Sequence, residues 1–172
     1  MNLGQEITER LNTMRLAENV KPNGKDSGYV IEEENDSMRL VAEIQDFDKF
    51  SCMVKTLSVT RAQAPPAGVS LKELLQRQAG EVERRITYLL ESFHLLEVDE
   101  FNCLAQVRSA RPHKKGEDKF YYEALLQHGN SVTFTRYRKA HHAENRDLVS
   151  SHLTQETFER LMDDLAAVLR IA

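Results

Sequence analysis

A chain of 172 residues has the length of one domain and can bury a large apolar core without disulfide support. Its hydrophobic fraction of 41% and charged fraction of 29% are ordinary for a globular protein, and its formal net charge of −4 argues against general nucleic-acid binding. No apolar run is long enough to span a membrane, and the N-terminus lacks the pattern of a signal peptide. We therefore expect one cytoplasmic domain over residues 1–172.

Residues 1–27 are predicted to form a short helix and a loop, and residues 28–172 the core of sheet and helices. Pro22, Asn23 and Gly24 indicate the loop. The helix is predicted because apolar side chains recur at steps of three and four: Leu3, Ile7, Leu11 and Met14.

Three strands are predicted next, over residues 28–34, 38–45 and 50–61. The second alternates apolar and polar residues, which is the pattern of a half-buried strand. In the third the apolar phase shifts midway, which predicts a bulge or burial on both faces. The two phases are carried by Cys52 and Val54, and by Leu57 and Val59.

The longest predicted element is a helix over residues 70–93. Ser70 and Glu73 have the spacing of a capping box, in which each side chain accepts a free N–H of the first turn. An apolar stripe of about six turns follows and requires a sheet or other helices to cover it. Its members are Leu71, Leu74, Leu75, Ala79, Val82, Ile86, Leu89, Leu90 and Phe93.

Four further strands are predicted over residues 95–100, 103–109, 119–127 and 131–139, with a polar loop over 111–118. The last two strands should form a hairpin whose register places the apolar residues on one face. A three-residue loop satisfies that condition, with Gly129 or Asn130 in the left-handed conformation. It pairs Leu126 with Val132 and Ala124 with Phe134.

Residues 140–151 are predicted to be a polar linker before the last helix. Thr154 has the position of its N-cap, and Leu153 can pack on Phe158 as a hydrophobic staple. Because strands follow strands along the chain, the sheet should be mainly antiparallel. The prediction is an α+β fold, with a twisted sheet of about six or seven strands, helices 70–93 and 154–170 on one face, and the short N-terminal helix in addition.

The sequence contains no Gly-rich phosphate loop, no nucleophile elbow and no paired-cysteine motif. Cys52 and Cys103 lie in apolar runs and are expected to be buried, reduced thiols, with a disulfide as the alternative if their Cα atoms lie within about 7 Å. We therefore expect no catalytic residue and no cofactor. An unrecognised small enzyme is kept as an alternative.

His141 and His142 are the strongest metal-like feature. Neighbouring side chains of a strand point to opposite faces, so both could bind one ion only from an irregular loop. Glu144, Asp147 and His152 could then complete a site. We expect a solvated linker instead, and no metal.

Residues 108–142 carry eight basic and three acidic residues, with Tyr121, Tyr122 and Tyr137 among them. This pattern is compatible with a nucleic-acid surface, with the solvent face of a hairpin, or with a site for an acidic protein partner. Of these, nucleic acid is not the expected partner. The predicted partner-binding residues are those opposite the apolar face of the hairpin together with two arginines: Tyr121, Leu125, Thr133, Thr135, Tyr137, Arg136 and Arg138.

The chain from residue 57 onward resembles the PsbP-like superfamily of small α/β/α proteins. The residues that carry the resemblance are Leu57–Arg61, Pro65–Gly68, Val69–Gln78 and Phe93–Glu97, followed by a hairpin and a C-terminal helix. The bacterial branch of that superfamily includes chaperones that accompany type VI secretion effectors. The resemblance implies a dimer that holds apolar helices of an effector against the exposed face of its sheet.

The order of elements is also similar to that of type III secretion chaperones, which are small, acidic, dimeric and cytoplasmic. Both resemblances imply a non-enzymatic protein-binding role. The expected function is that of a cytoplasmic chaperone or adaptor for another protein, for which a secreted effector is one candidate. The resemblances imply a homodimer, while the residues themselves leave the oligomeric state open.

Overall fold

The computed structural model describes residues 3–16, 28–35, 37–110 and 113–171. Its three helices are α1 (Leu3–Leu16), α2 (Leu71–Arg85) and α3 (Gln155–Leu169). Its ten strands are β1 (Tyr29–Glu34), β2 (Met38–Phe47), β3 (Ser51–Arg61), β4 (Phe93–Asp99), β5 (Leu104–Ser109), β6 (His113–Lys115), β7 (Asp118–Gln127), β8 (Ser131–Lys139), β9 (Asp147–Val149) and β10 (Ser151–Thr154).

All strand pairings are antiparallel, which confirms the predicted α+β class. Seven strands follow the order β1-β2-β3-β8-β7-β5-β4, while β10 pairs with β3, β6 with β7 and β9 with β8. The predicted count of six or seven is wrong, because the described residues contain three additional short strands. These strands are three or four residues long, too short to show an alternating pattern, and the residues predicted as a polar linker supply β9 and the start of β10.

One face of the sheet is covered by helices. The helix α3 packs on β3, α2 packs on β4, β5 and β7, and α1 packs on α3 and β1. Apolar side chains of all three helices and of the long strands form one buried cluster. Two helices were predicted on this face, and α1 extends the same layer through Ile7 and Leu11, which are both buried.

The predicted irregularity in the third strand is a bulge. Thr56 pairs with Glu43 and Val54 pairs with Ile44, so Lys55 is the extra residue of β3. This extra residue brings both apolar phases onto the covered face, where the side chains of β3 that were predicted to be in different phases are all buried: Cys52, Val54, Leu57 and Val59.

The helix predicted over residues 70–93 ends eight residues early. Ile86 has φ −89° and ψ 76°, outside the helical region, and α2 therefore stops at Arg85. Leu89 is only partly buried, and Leu90 is 98% exposed with φ +62°. The apolar spacing continues to Phe93 because Phe93 contributes to the covered face of β4, and not because the helix continues.

The hairpin register is confirmed. Leu126 pairs with Val132 and Ala124 pairs with Phe134. His128 and Gly129 both have positive φ values, and Gln78 of α2 donates a hydrogen bond to the Gly129 carbonyl at 2.8 Å. A Cβ on residue 129 would lie 2.7 Å from Leu74, so glycine also permits close packing of the turn on α2.

The predicted N-caps are present. Ser70 accepts from the backbone N–H of Glu73, and Thr154 accepts from that of Thr157. No helix among the described residues is long and apolar enough to cross a membrane. The predicted loop over residues 21–27 lies outside the described residues.

Candidate functional site

Among the described residues, no helix covers the opposite face of the sheet, which we call the uncovered face, and its side chains are chemically diverse. The register places one row of side chains across it, from an edge strand to the middle of the sheet: His94, Arg108, Glu123, Thr135 and Thr56. Small hydroxyl side chains occupy its centre, where Ser58 lies 3.5 Å from Thr133 and Thr60 lies 3.4 Å from Ser131. Larger polar and aromatic groups stand on β5, β7 and the outer part of β8.

Glu123 is the most unusual residue of this face, because it is a carboxylate only 3% exposed. Arg146 binds it through both guanidinium amino groups, at 2.5 and 3.0 Å. Arg108 donates to it at 3.0 Å, and Gln106 donates at 2.7 Å. Burying a charge is costly unless it is paired and hydrogen-bonded, and these partners satisfy that requirement.

Two tyrosines complete this arrangement. The Arg146 guanidinium lies 3.7 Å from the ring centre of Tyr137, and the Arg108 guanidinium lies 4.6 Å from that of Tyr121. The two rings are themselves 5.9 Å apart. Hydrogen bonding to Glu123 raises the pKa of Arg146 above its usual value, so this side chain is charged at physiological pH. We call Glu123, Arg108, Arg146, Tyr121 and Tyr137 the arginine–tyrosine cluster.

A groove of about 730 Å³ lies beside the cluster. Four cationic side chains and one carboxylate line it, and Tyr121, Leu96 and Ala110 contribute apolar surface. Arg108 and Arg146 are shared with the cluster, where Glu123 neutralises one of their two charges. We call this the basic groove, and its charged residues are Arg108, Lys119, Lys139, Arg146 and Glu144.

A second depression, of about 620 Å³, lies between β1, β2, β3 and β9. Three exposed apolar side chains contribute to it: Val30, Met53 and Leu148. Leu148 pairs with Tyr137, so this depression adjoins the arginine–tyrosine cluster. This face therefore carries an apolar region on one side of the cluster and the basic groove on the other.

The seven predicted partner-binding residues do not all lie on the same face of the sheet. Five lie on the uncovered face, and four of these are half-buried: Leu125, Thr133, Thr135 and Tyr137. Tyr121 is only 9% exposed, so it acts mainly as part of the cluster.

Arg136 and Arg138 lie on the opposite face, because strand alternation gives them the direction of Phe134. Arg136 is above Phe120 and Tyr122, at 5.4 and 5.3 Å from the ring centres, and Arg138 pairs with Asp118 at 2.6 Å. The basic residues of 108–142 therefore do not form one surface: Lys114 and Lys115 stand on the short strand β6, and Arg111 lies outside the described residues.

The two cysteines are free. Cys52 is buried as predicted, and burial raises the pKa of its thiol to about 12. Cys103 is partly exposed, contrary to the prediction, because it has φ +56° in the turn before β5 and is not part of the strand. A thiol with the properties of Cys52 is protonated at neutral pH and is a poor nucleophile.

One group of three potential metal ligands is present among the described residues: Glu117, His141 and His142. The residues that the sequence suggested as completing ligands lie elsewhere. Glu144 lines the basic groove, Asp147 begins β9, and His152 contacts Ser51 with its Nε2 atom 3.0 Å from the hydroxyl.

Sequence reasoning missed the central role of Glu123 and Arg146. A signal for Glu123 exists, because it interrupts an otherwise apolar run from Phe120 to Leu126 and must therefore be buried with a partner. No comparable signal marks Arg146, which lies in a polar segment.

Comparisons with protein-family models, with curated proteins and with solved structures find no match to this chain.

Proposed function

We propose that this protein is a non-enzymatic binding module whose basic groove receives an acidic segment of a partner protein. The observation that carries the proposal is the arginine–tyrosine cluster, in which the buried Glu123 fixes two arginines at the margin of a groove on the uncovered face. Groups that are already held in place lose little freedom on binding, which favours affinity.

The charge of the groove favours an acidic partner. Lys119 and Lys139 face each other across β7 and β8 and have the same sign. An incoming carboxylate would relieve their repulsion, while the partly exposed sides of Arg108 and Arg146 offer further donors. This local excess stands out in a chain whose net charge is −4.

A protein segment fits this site better than nucleic acid. Single-stranded nucleic acid is usually bound along a continuous basic track with several stacking platforms. Here Arg136 and Arg138 lie on the other face, and both tyrosines of the groove side are already covered by arginines. Apolar surface elsewhere on the same face, at Val30, Met53 and Leu148, suits a partner that also carries apolar side chains.

Recognition by side chains is also favoured over addition of a strand at the sheet edges. On β1, Arg10 donates to the Glu32 carbonyl at 2.7 Å. On β4, the Leu95 N–H donates to Glu83 at 2.7 Å. These contacts occupy edge groups that an added strand would need.

A chaperone or adaptor would use such a face to hold part of another protein. The roles of chaperone and of secretion adaptor, the resemblance to PsbP-like proteins, the cytoplasmic location and the homodimer stay predictions. Light scattering on the purified protein would test the homodimer directly.

The groove is tested by charge reversal. Lys119→Glu combined with Lys139→Glu should abolish capture of a partner that the wild-type protein retains, and titration of that purified partner should show at least about a tenfold loss of affinity. Lys49→Glu combined with Lys72→Glu is the matched control, since it changes the net charge equally at two residues that do not line the groove.

If the two double variants bind the purified partner with equal affinity, the groove is not the binding site. If the wild-type protein captures nucleic acid, and nuclease treatment removes it, the alternative of a nucleic-acid-binding module is favoured. Tyr137→Ala adds a second measurement, because removing the ring under Arg146 should weaken the partner complex by about 1 kcal/mol or more.

A further inference from the structure

Two neighbouring turns bring Glu117, His141 and His142 together. The ligand atoms of the three side chains lie within 4.8 Å of one another, and all three residues are exposed. His141 Nε2 is 3.7 Å from a carboxylate oxygen of Glu117, and the two imidazole ring centres are 4.2 Å apart.

The sheet itself produces this proximity. Pairing of β7 with β8 extends to Lys119 and Lys139, so the residues just before β7 and just after β8 leave the sheet side by side. Glu117 lies in the tight turn between β6 and β7, where Lys115 pairs with Asp118 and Gly116 has φ +65°. Its backbone position is therefore fixed by a hairpin.

The histidines lie in a turn and not in a strand. β8 ends at Lys139, and the Ala143 N–H donates to the Ala140 carbonyl at 3.2 Å. Consecutive residues of a strand would point to opposite faces, but this turn lets both rings approach one point. The sequence allows both histidines to bind one ion only if they lie in an irregular loop, and they do.

We propose that Glu117, His141 and His142 bind one divalent transition-metal ion of the Zn²⁺ type. Two imidazoles and one carboxylate are ligands that Zn²⁺ accepts, with water in the fourth position, whereas Ca²⁺ and Mg²⁺ prefer oxygen ligands throughout. Tetrahedral Zn²⁺ places its ligand atoms about 3.3 Å apart, and rotation of exposed side chains can close the present spacing.

The ion would join the β6–β7 turn to the segment that follows β8. That segment continues through Glu144 and Asn145 to Arg146, so the metal would hold the start of the chain that covers Glu123. The inference does not rest on the proposed function, because it concerns ligands outside the basic groove.

Titration of the chelator-treated, tag-free protein with Zn²⁺ in a calorimeter should show one site per chain. Co²⁺ should give the visible absorption of a four-coordinate site, and Zn²⁺ should raise the thermal transition. His141→Ala and His142→Ala should each lower the affinity at least about tenfold, and Glu117→Gln should also weaken binding.

His152→Ala is the matched control, since His152 lies near Ser51 and should leave the metal affinity unchanged. The proposal is overturned if the wild-type protein shows no heat of Zn²⁺ binding and no Co²⁺ band. It is equally overturned if His141→Ala and His142→Ala bind as tightly as wild type, or if His152→Ala removes the site. Circular dichroism of each variant separates a lost site from a lost fold.

Discussion

The two faces of the β7–β8 hairpin are built from alternate residues of the same strands, yet they are buried by different means. On one face Ala124 and Leu126 are fully buried in the apolar cluster beneath the helices. On the other face Glu123 is 3% exposed, covered by two arginines and a glutamine. The apolar side chains are thus buried by many non-directional contacts, whereas Glu123 is buried by a few directed hydrogen bonds and ion pairs.

This difference predicts different responses to substitution on the two faces. Hydrophobic burial is roughly proportional to area and has no direction, so the covered face depends on the sum of its side chains. The arginine–tyrosine cluster depends on charge and direction, because each guanidinium must meet the same carboxylate. Substitutions should therefore have graded effects on the covered face and specific effects on the uncovered one.

The largest effect is expected on the covered face, in a series of three leucines from the predicted apolar stripe. Leu75 is fully buried, Leu89 is partly buried and Leu90 is 98% exposed. Leu75→Ala should cost about 2–5 kcal/mol, because it leaves a cavity in the core. Leu89→Ala should cost less, and Leu90→Ala should stay within about 0.5 kcal/mol.

Urea unfolding of the three variants measures this order. Equal losses for Leu75→Ala and Leu90→Ala would mean that the helix continues beyond Arg85, as the sequence alone suggests.

The second effect concerns the uncovered face. Glu123→Gln keeps the shape of the side chain but removes the charge between Arg108 and Arg146. We expect a loss of about 1–3 kcal/mol, below the cost of a fully buried broken pair, because both guanidiniums are about one-third exposed and can turn to water.

Glu100→Gln is the matched control for that change. Glu100 pairs with Lys72 at 2.6 Å, but its side chain is 62% exposed, so no measurable loss is expected. If the two variants unfold at the same denaturant concentration, burial of Glu123 contributes nothing to stability.

Much of the fold follows from local patterns in the sequence. The seven long strands, the three helices, the bulge at Lys55 and the register of the last hairpin are all predicted by the period of apolar residues. The early end of α2 is not, since the same spacing serves first a helix and then a strand. The strands β9 and β10 are also missed, because short polar segments join a sheet through backbone hydrogen bonds that leave no side-chain pattern.

The candidate site is predicted less well than the fold. Alternation identifies the uncovered face and five of its residues, but it also shows that Arg136 and Arg138 belong to the other face. Arg146 is 23 residues from Glu123 and is brought to it by the segment after β8, which has no regular period. Contacts of this kind depend on the finished sheet and cannot be derived from neighbouring residues.

The smallest expected effect is a gain in stability instead of a loss. It concerns a carboxylate on the side of the sheet that the helices cover. Asp163 of α3 is partly buried and lies near Asp164 and Glu159. Burial is the main cause that raises the pKa of Asp163, and these two carboxylates add to it, while a hydrogen bond from the Gly4 N–H and the charge of Arg170 lower it. Asp163 thus differs from Glu123, to which two arginines bind directly.

Asp163→Asn should therefore stabilise the protein at neutral pH, by a few tenths of a kcal/mol because solvent screens the site. A carboxyl group whose pKa is raised on folding destabilises the folded state above that pKa, and this cost disappears as the pH falls below the unfolded value of about 3.8. The advantage of the variant should shrink accordingly between neutral pH and pH 4 in thermal unfolding. A loss of stability at pH 7, as expected for Glu123→Gln, would mean that the hydrogen bond from Gly4 outweighs the cost of burial and the repulsion together. The carboxylates on the two sides of the sheet would then both stabilise the fold.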